Sequence, residues 1–291
     1  MGSISKASRN LFISQPSLSN IVTELEEELQ FRIFDRGSNG VTLTSEGNKF
    51  MLSAKIILSE YNTIRLIPRE IHENNLSICC TYSQFFMQAF MDFKNSDPKL
   101  GYQDSIRETG IKFISTHLLD LSNRLAFYYS FRTRSQLVQQ EFEKYNLVSQ
   151  RIAENVPLKV CMSNNHPLAN RDVLAMNDLH DQKFIAFGGF EESDMFDLLG
   201  LRQESKPLII YDRGGMSEFL IKEHYVSIML PPLEGLNNGG LSYIQLDGLS
   251  DAMDVYCLYN KTYSFNSREK LFLSFIKKRL ELLITQNNQL K

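Results

Sequence analysis

Along the first seventy residues, apolar positions recur at helical spacing, then alternate, then recur again. Leu18, Ile21/Val22, Leu25 and Leu29 fall at i, i+3/i+4 intervals and predict an amphipathic helix with that stripe buried. Ser14 stands where an N-cap accepts from first-turn amides, and Pro16 is tolerated because those amides have no intrahelical partner. Ile4 to Leu11 predicts a shorter helix ahead of it, with Leu11 facing inward and Phe12-Ile13 as the turn. Phe31-Arg32-Ile33-Phe34 and Val41-Thr42-Leu43 flank Gly37-Ser38-Asn39-Gly40, the pattern of a β-hairpin with a tight polar turn. Thr44-Ser45-Glu46 then opens a helix lasting to Pro68. Its Phe50, Ala54, Ile57, Tyr61 and Ile64 form a heptad seam suited to dimerisation.

After Asn74-Asn75 the pattern alternates strands with helices. Strands are expected at Leu76–Tyr82, Gln103–Glu108 and Arg124–Tyr129, and two more within Val148–Ser163, broken by Pro157. Later strands are Lys183–Phe187, Leu208–Tyr211, Ser227–Leu230, Leu241–Leu246 and Asp254–Tyr259. Helices are expected at Gln84–Phe93, Ile111–Leu121, Asp194–Leu199, Gly215–His224 and Ser267–Ile284. Such alternation reads as open α/β sheets.

With 291 residues, 43% of them apolar, the chain can bury a sizeable core and make two or three domains. A net charge of −3 excludes a sequence-blind, purely electrostatic nucleic-acid binder, but not a regulator in which one small domain touches DNA. The four cysteines, Cys79, Cys80, Cys161 and Cys257, show no CxxC spacing and no cluster with histidine, which fits a reduced compartment. No stretch reads as a signal peptide or a membrane span, so the expected location is cytoplasmic.

The polar stripe of the second helix changes the picture. Gln15, Pro16, Ser19, Asn20 and Thr23 are small or hydrogen-bonding and uncharged, and the carboxylates begin only at Glu24. That fits a helix whose N-terminal end enters a DNA major groove, where amides and hydroxyls read base edges and the helix dipole favours phosphate. The hairpin behind it reads as a wing, with Arg32, Arg36, Ser38 and Asn39 placed for phosphates or the minor groove. Candidate DNA contacts are Gln15, Pro16, Ser17, Ser19, Asn20, Thr23, Arg32 and Arg36. Residues 1–70 carry eight basic and eight acidic side chains, a low balance for a domain that must neutralise phosphate.

These residues resemble the LysR-type transcriptional regulators. The match runs in order through Ser3-Ile4-Ser5-Lys6-Ala7-Ser8, Ile13-Ser14-Gln15-Pro16-Ser17-Leu18-Ser19, Glu24-Leu25-Glu26, Phe34-Asp35-Arg36, and Leu43-Thr44 with Glu46-Gly47. The resemblance implies an α/β protein with an N-terminal winged helix-turn-helix, a long linker helix, and a two-lobed effector domain like a periplasmic binding protein. The expected divisions are 1–46 for DNA binding, 47–73 for the linker helix and 74–291 for the effector domain. Lobe one would hold 74–156 and 255–291, and lobe two 157–254. Pro157-Leu158-Lys159-Val160 leading to His166-Pro167-Leu168-Ala169 resembles the strand that crosses into the second lobe. The implied partners are double-stranded DNA, a small-molecule effector and further copies of the chain as a homodimer or homotetramer, with no membrane partner and no cofactor. Two positions depart from the family: Asn20 usually is Arg or Lys there, and Thr23 often is basic or longer, which weakens phosphate anchoring. The family also carries a further helix ahead of the match to Gly2-Ser3-Ile4. Either the start lies upstream of Met1, or the domain is incomplete and Ile4, Leu11, Ile21 and Leu25 lose packing.

Ligands of open α/β sheets sit beyond the carboxyl ends of strands. This places Thr81 and Ser83 after the first strand, Thr109 after the second, Ser130 after the third, and Phe187 and Asp212 in the other lobe. Hydroxyls and helix N-termini there suit a carboxylate-bearing metabolite. Three rival readings differ in class. An enzyme lacks support, since the five histidines are scattered and no HExxH, GxSxG, Walker or GxGxxG motif occurs. A redox sensor would use Cys161 and Cys257, which fall on the two crossover segments between lobes. A truncated effector-binding and dimerising module would no longer bind DNA.

Overall fold

The structure, a computed structural model, describes residues 4–37, 40–70, 74–96, 102–188, 207–233, 239–249 and 251–289. The chain forms two compact units, Met1–Tyr61 and Asn62–Lys291. In the first, α1 (Ile4–Asn10) and α2 (Gln15–Leu29) are joined by a turn, and a hairpin of β1 (Phe34–Gly37) and β2 (Gly40–Leu43) follows. Helix α3 (Ser45–Glu70) begins here. The hairpin starts at Phe34 rather than Phe31, because the Ile33 and Phe34 amides turn back to donate to Glu26 Oε1 at 2.7 and 2.9 Å. Thr44 completes the closure, donating from its hydroxyl to the Arg32 carbonyl at 2.6 Å and from its amide to the Ile33 carbonyl at 3.0 Å. Gly47 is required at this point, since a Cβ there would meet the Ile33 carbonyl oxygen at 2.0 Å.

Ile33 is the large apolar side chain buried at the centre of this unit. Leu18, Val22, Leu25 and Leu29 are half-buried, as the stripe requires. Ile21 and Leu11 depart from expectation and are mainly exposed, as is Phe12 in the turn. Helix α1 packs on α2, and among the described residues nothing buries Leu11, Phe12 or Ile21. Helix α3 also continues past Pro68, which lacks one amide donor but leaves the later amides able to bond. Ile57, Leu58 and Tyr61 on it are exposed.

The second unit contains two sheets. The first has the order β4 (Ser105–Thr109), β3 (Ser77–Thr81), β5 (Leu125–Phe131), β13 (Met253–Asn260), β6 (Leu147–Val156). Strands β4, β3 and β5 run parallel, linked through α4 (Gln84–Ser96) and α5 (Ile111–Leu119), while β13 runs antiparallel to β5 and β6. All seven residues of β5 are buried. Helix α6 (Arg132–Glu143), absent from the sequence reading, follows β5 directly.

The chain leaves this sheet between β6 and β7 (Lys159–Ser163) to build the second, and returns between β12 (Leu241–Asp247) and β13. The second sheet has the order β11 (Ser227–Met229), β7, β12, β8 (Val173–Ala175). A parallel pair, β9 (Ile185–Phe187) with β10 (Leu208–Ile210), joins it through the Phe184–Val226 bridge. Helix α7 (Arg213–Lys222) follows β10, and α8 (Ser267–Gln289) closes the chain against the first sheet. The helix expected at Asp194–Leu199 lies outside the described residues. One apolar cluster, from Leu76 and Phe127 through Val160 and Leu174 to Phe272 and Leu280, runs through both sheets.

Both crossovers are tied at one carboxylate. Asp254, fully buried, accepts from Arg132 Nε at 3.1 Å and Nη2 at 2.8 Å and from the Asn155 amide at 3.0 Å. Burial alone would raise its pKa, but the Arg132 and Asn155 hydrogen bonds and the field of Arg151 outweigh burial and lower it.

Candidate functional site

In the first unit the candidate face is the N-terminal half of α2. Ser14 caps the helix, its Oγ accepting from the Ser17 amide at 3.2 Å and lying 2.7 Å from the Ser17 hydroxyl. Ser17 is therefore part of the cap. Gln15 is exposed, and its Oε1 accepts from the Ser5 hydroxyl at 2.9 Å, which ties α1 to the start of α2. Pro16 and Asn20 are exposed beside it, and Ser19 is half-buried. The Thr23 hydroxyl turns back to the Ser19 carbonyl at 2.9 Å, which removes its donor from the outward face. Arg32 is exposed just before the hairpin. Arg36 stands opposite Val41 in the strand register, and Ser38 and Asn39 lie outside the described residues.

In the second unit, the carboxyl ends of β3 and β4 face those of β9 and β10 through side-chain contacts. Tyr82, just after β3, stacks on Phe187 at the end of β9, with ring centres 4.8 Å apart and planes 12° from parallel. The Arg213 guanidinium, at the start of α7, covers the Tyr82 ring at 4.8 Å. Its Nε donates to Glu108 Oε2 at 2.8 Å, its Nη1 to Gln84 Oε1 at 2.6 Å and its Nη2 to the Ser83 carbonyl at 3.2 Å and to Glu108 Oε1. Burial works against the guanidinium charge, but Glu108 outweighs it and raises the Arg213 pKa. The Ser83 hydroxyl crosses to the Leu230 carbonyl at 3.4 Å. Thr81 is fully buried and its hydroxyl has no hydrogen-bond partner.

Ser83 and Phe187 thus meet around Tyr82 and Arg213, with Thr81 and Thr109 buried at their strand ends. Ser130 does not follow its strand. It lies inside β5 opposite Asp254, because the fully buried β5 runs on to Phe131 between β3 and β13. The Asp212 carboxylate caps α7, accepting from the Gly215 amide at 2.6 Å. Glu108 and Arg213 are not among the residues that the strand-end pattern points to.

Cys161 and Cys257 do not approach each other. Cys161 lies in β7 between Ser227 and Tyr243, Cys257 lies in β13 opposite Phe127, and all four thiols are free and buried. Among the described residues no group of three or more potential metal ligands occurs, and no helix is long and apolar enough to cross a membrane.

Residues 1–48 match the family described as "Bacterial regulatory helix-turn-helix protein, lysR family". The N-terminal part of the chain belongs to that family of regulatory helix-turn-helix domains. Over more of its length the chain is similar to the HTH-type transcriptional regulator YvbU of Bacillus subtilis, at 23% identity over 261 residues covering 79% of this chain and 83% of YvbU. Its fold is similar to that of a full-length OxyR variant from Pseudomonas aeruginosa, with a TM-score of 0.51 at 16% identity, covering 96% of this chain and 89% of that one. It is also similar to full-length CbnR solved in complex with its target DNA, with a TM-score of 0.50 at 16% identity, covering 96% and 94%.

Proposed function

We propose that this LysR-type regulator reads DNA with the N-terminal half of α2 and answers to a small molecule bound between the two sheets of its second unit. The observation that carries the first half is a Ser14-capped helix presenting exposed Gln15, Pro16 and Asn20, followed at once by a hairpin. With its Oε1 taken by Ser5, Gln15 offers amide N–H donors to base acceptors, while Arg32 and Arg36 serve the backbone. In this reading residues 1–46 are the DNA-binding part, 47–73 the linker, whose described part is α3 to Glu70, and 74–291 the effector part. Exposed Ile57, Leu58 and Tyr61 on α3 support pairing of that helix with a second copy, which would set two hairpins on two half-sites. Ser83 on Arg213 and Phe187 on Tyr82, with Thr81 and Thr109 at the ends of their strands, line the proposed ligand site.

The test is fluorescence anisotropy of the chain with DNA from upstream of its own gene and with random DNA, at two salt concentrations. Selective binding is expected, with Gln15→Ala weakening the specific complex by about 1–3 kcal/mol. Equal loss on both DNAs would remove the base-reading role of Gln15. Failure to bind either DNA would favour an effector-binding and dimerising module.

A further inference from the structure

The pair that joins the two sheets is itself an occupant of the ligand site. Glu108 is the penultimate residue of β4 on one side and Arg213 begins α7 on the other, with their side chains 9% and 28% exposed. The Glu108 carboxylate lies on the Arg213 guanidinium and 3.5 Å from the Ser83 amide at the start of α4. That is where an incoming carboxylate would go, because a guanidinium fork and a helix N-terminus are the anion-binding groups of this cleft.

A ligand entering here must separate the pair, and separation of a buried pair costs most when one charge is left without a partner. A simple carboxylate would take Arg213 and leave Glu108 buried beside a second negative charge. A simple amine would satisfy Glu108 and strand Arg213. A molecule with both charges a bond or two apart leaves neither stranded. We infer that the cleft takes a zwitterion, an α-amino acid, whose carboxylate replaces Glu108 on Arg213 and whose ammonium replaces Arg213 on Glu108.

The surrounding groups fit the rest of such a molecule. The Thr81 hydroxyl, buried and without a partner, is a spare hydrogen-bonding group at the same strand ends. The Tyr82–Phe187 stack offers an apolar wall for a side chain. Closed on itself, the cleft keeps its charges compensated. Opened by an amino acid, it compensates them through the ligand, so the ligand moves the two sheets apart without a charge penalty.

This inference rests on the ligand-site reading above, and its test separates the two. Calorimetry and thermal shift on the full chain would use each proteinogenic L-amino acid and, beside it, the same molecule with hydrogen in place of the α-ammonium. One or more amino acids should bind, and the deaminated partner should bind about tenfold weaker or worse, as a site built to pair an N–H group rejects the analogue lacking it. Glu108→Gln, which keeps the shape, should erase that discrimination. Arg213→Gln should abolish binding of both. If deaminated acids bind wild type as well as or better than amino acids, the ligand site stands and the zwitterion inference falls. If neither series binds wild type, the inference falls and the ligand-site reading falls with it for carboxylates.

Discussion

Both oxygens of the Asp104 carboxylate are held by the Arg268 guanidinium, at 2.6 and 2.8 Å, which ties the start of α8 to the loop before β4. Lys94 adds a contact at 2.7 Å and the Leu76 amide one at 2.8 Å. Arg268 also stacks over the Tyr102 ring at 3.9 Å. Burial alone would raise the Asp104 pKa, but the hydrogen bonds from Arg268, Lys94 and Leu76 outweigh it and hold it at about 2. The folded-state pKa lies below the ordinary 3.8, so the group's stabilisation is fully present above that value and is lost as pH falls toward about 2. Asp104→Asn should cost about 1.5–3 kcal/mol at neutral pH, since the charged hydrogen bonds from Arg268 and Lys94 to the carboxylate are lost. Acid unfolding followed by circular dichroism should show a correspondingly shallower pH dependence in the variant.

Glu26 is a structural residue in the first unit. Glu26→Ala removes the acceptor of the Ile33 and Phe34 amides and should cost about 1.5–3 kcal/mol. Hydrogen exchange should quicken at those two amides, and DNA affinity should fall equally on specific and random sequences.

Gly47→Ala forces a methyl group against the Ile33 carbonyl, with a cost of about 1–3 kcal/mol or more. Limited proteolysis should cut the variant faster within residues 30–48, while the melting of the second unit stays unchanged.

The cysteines should be inert while the chain is folded. Burial pushes the Cys79 and Cys161 thiols up to about 12, and those of Cys80 and Cys257 upward as well. A thiol-reactive dye at about pH 8 should label none of them until denaturant is added, and then all four. Peroxide should leave DNA binding unchanged.

Ile57→Asp should weaken the association of two chains, read by sedimentation. It should leave the unfolding of the second unit untouched, because Ile57 is exposed within the chain.

What was legible in the sequence had a local cause. The Ser14 cap, the α2 stripe and the buried strand at Ser77–Thr81 follow from neighbours a few residues apart. Helix α6 was missed because its apolar positions are few, and one of them, Leu137, is exposed, so its period is faint. Strand β8 has three residues and exists through its pairing with β12. The hairpin start was misplaced because Glu26, several residues upstream, holds the amides of Ile33 and Phe34. The proposed ligand site is half legible: strand ends point to Ser83 and Phe187, but the Glu108–Arg213 pair joins residues 105 positions apart, and no local pattern encodes that.

The order of the first sheet constrains how the chain is made. Strand β13, near the end of the sequence, is not at an edge but lies between β5 and β6. A ribosome therefore delivers β5 and β6 well before the strand that separates them. Until residues 253–260 emerge, each exposes an unpaired edge open to misregistered pairing or to another chain. The first sheet closes only after synthesis of the second sheet, through contacts more than a hundred residues apart for β13 with β5, a slow class of folding step. A nonsense codon anywhere before β13 removes more than a tail: it should yield an aggregating product, not a shortened but folded regulator.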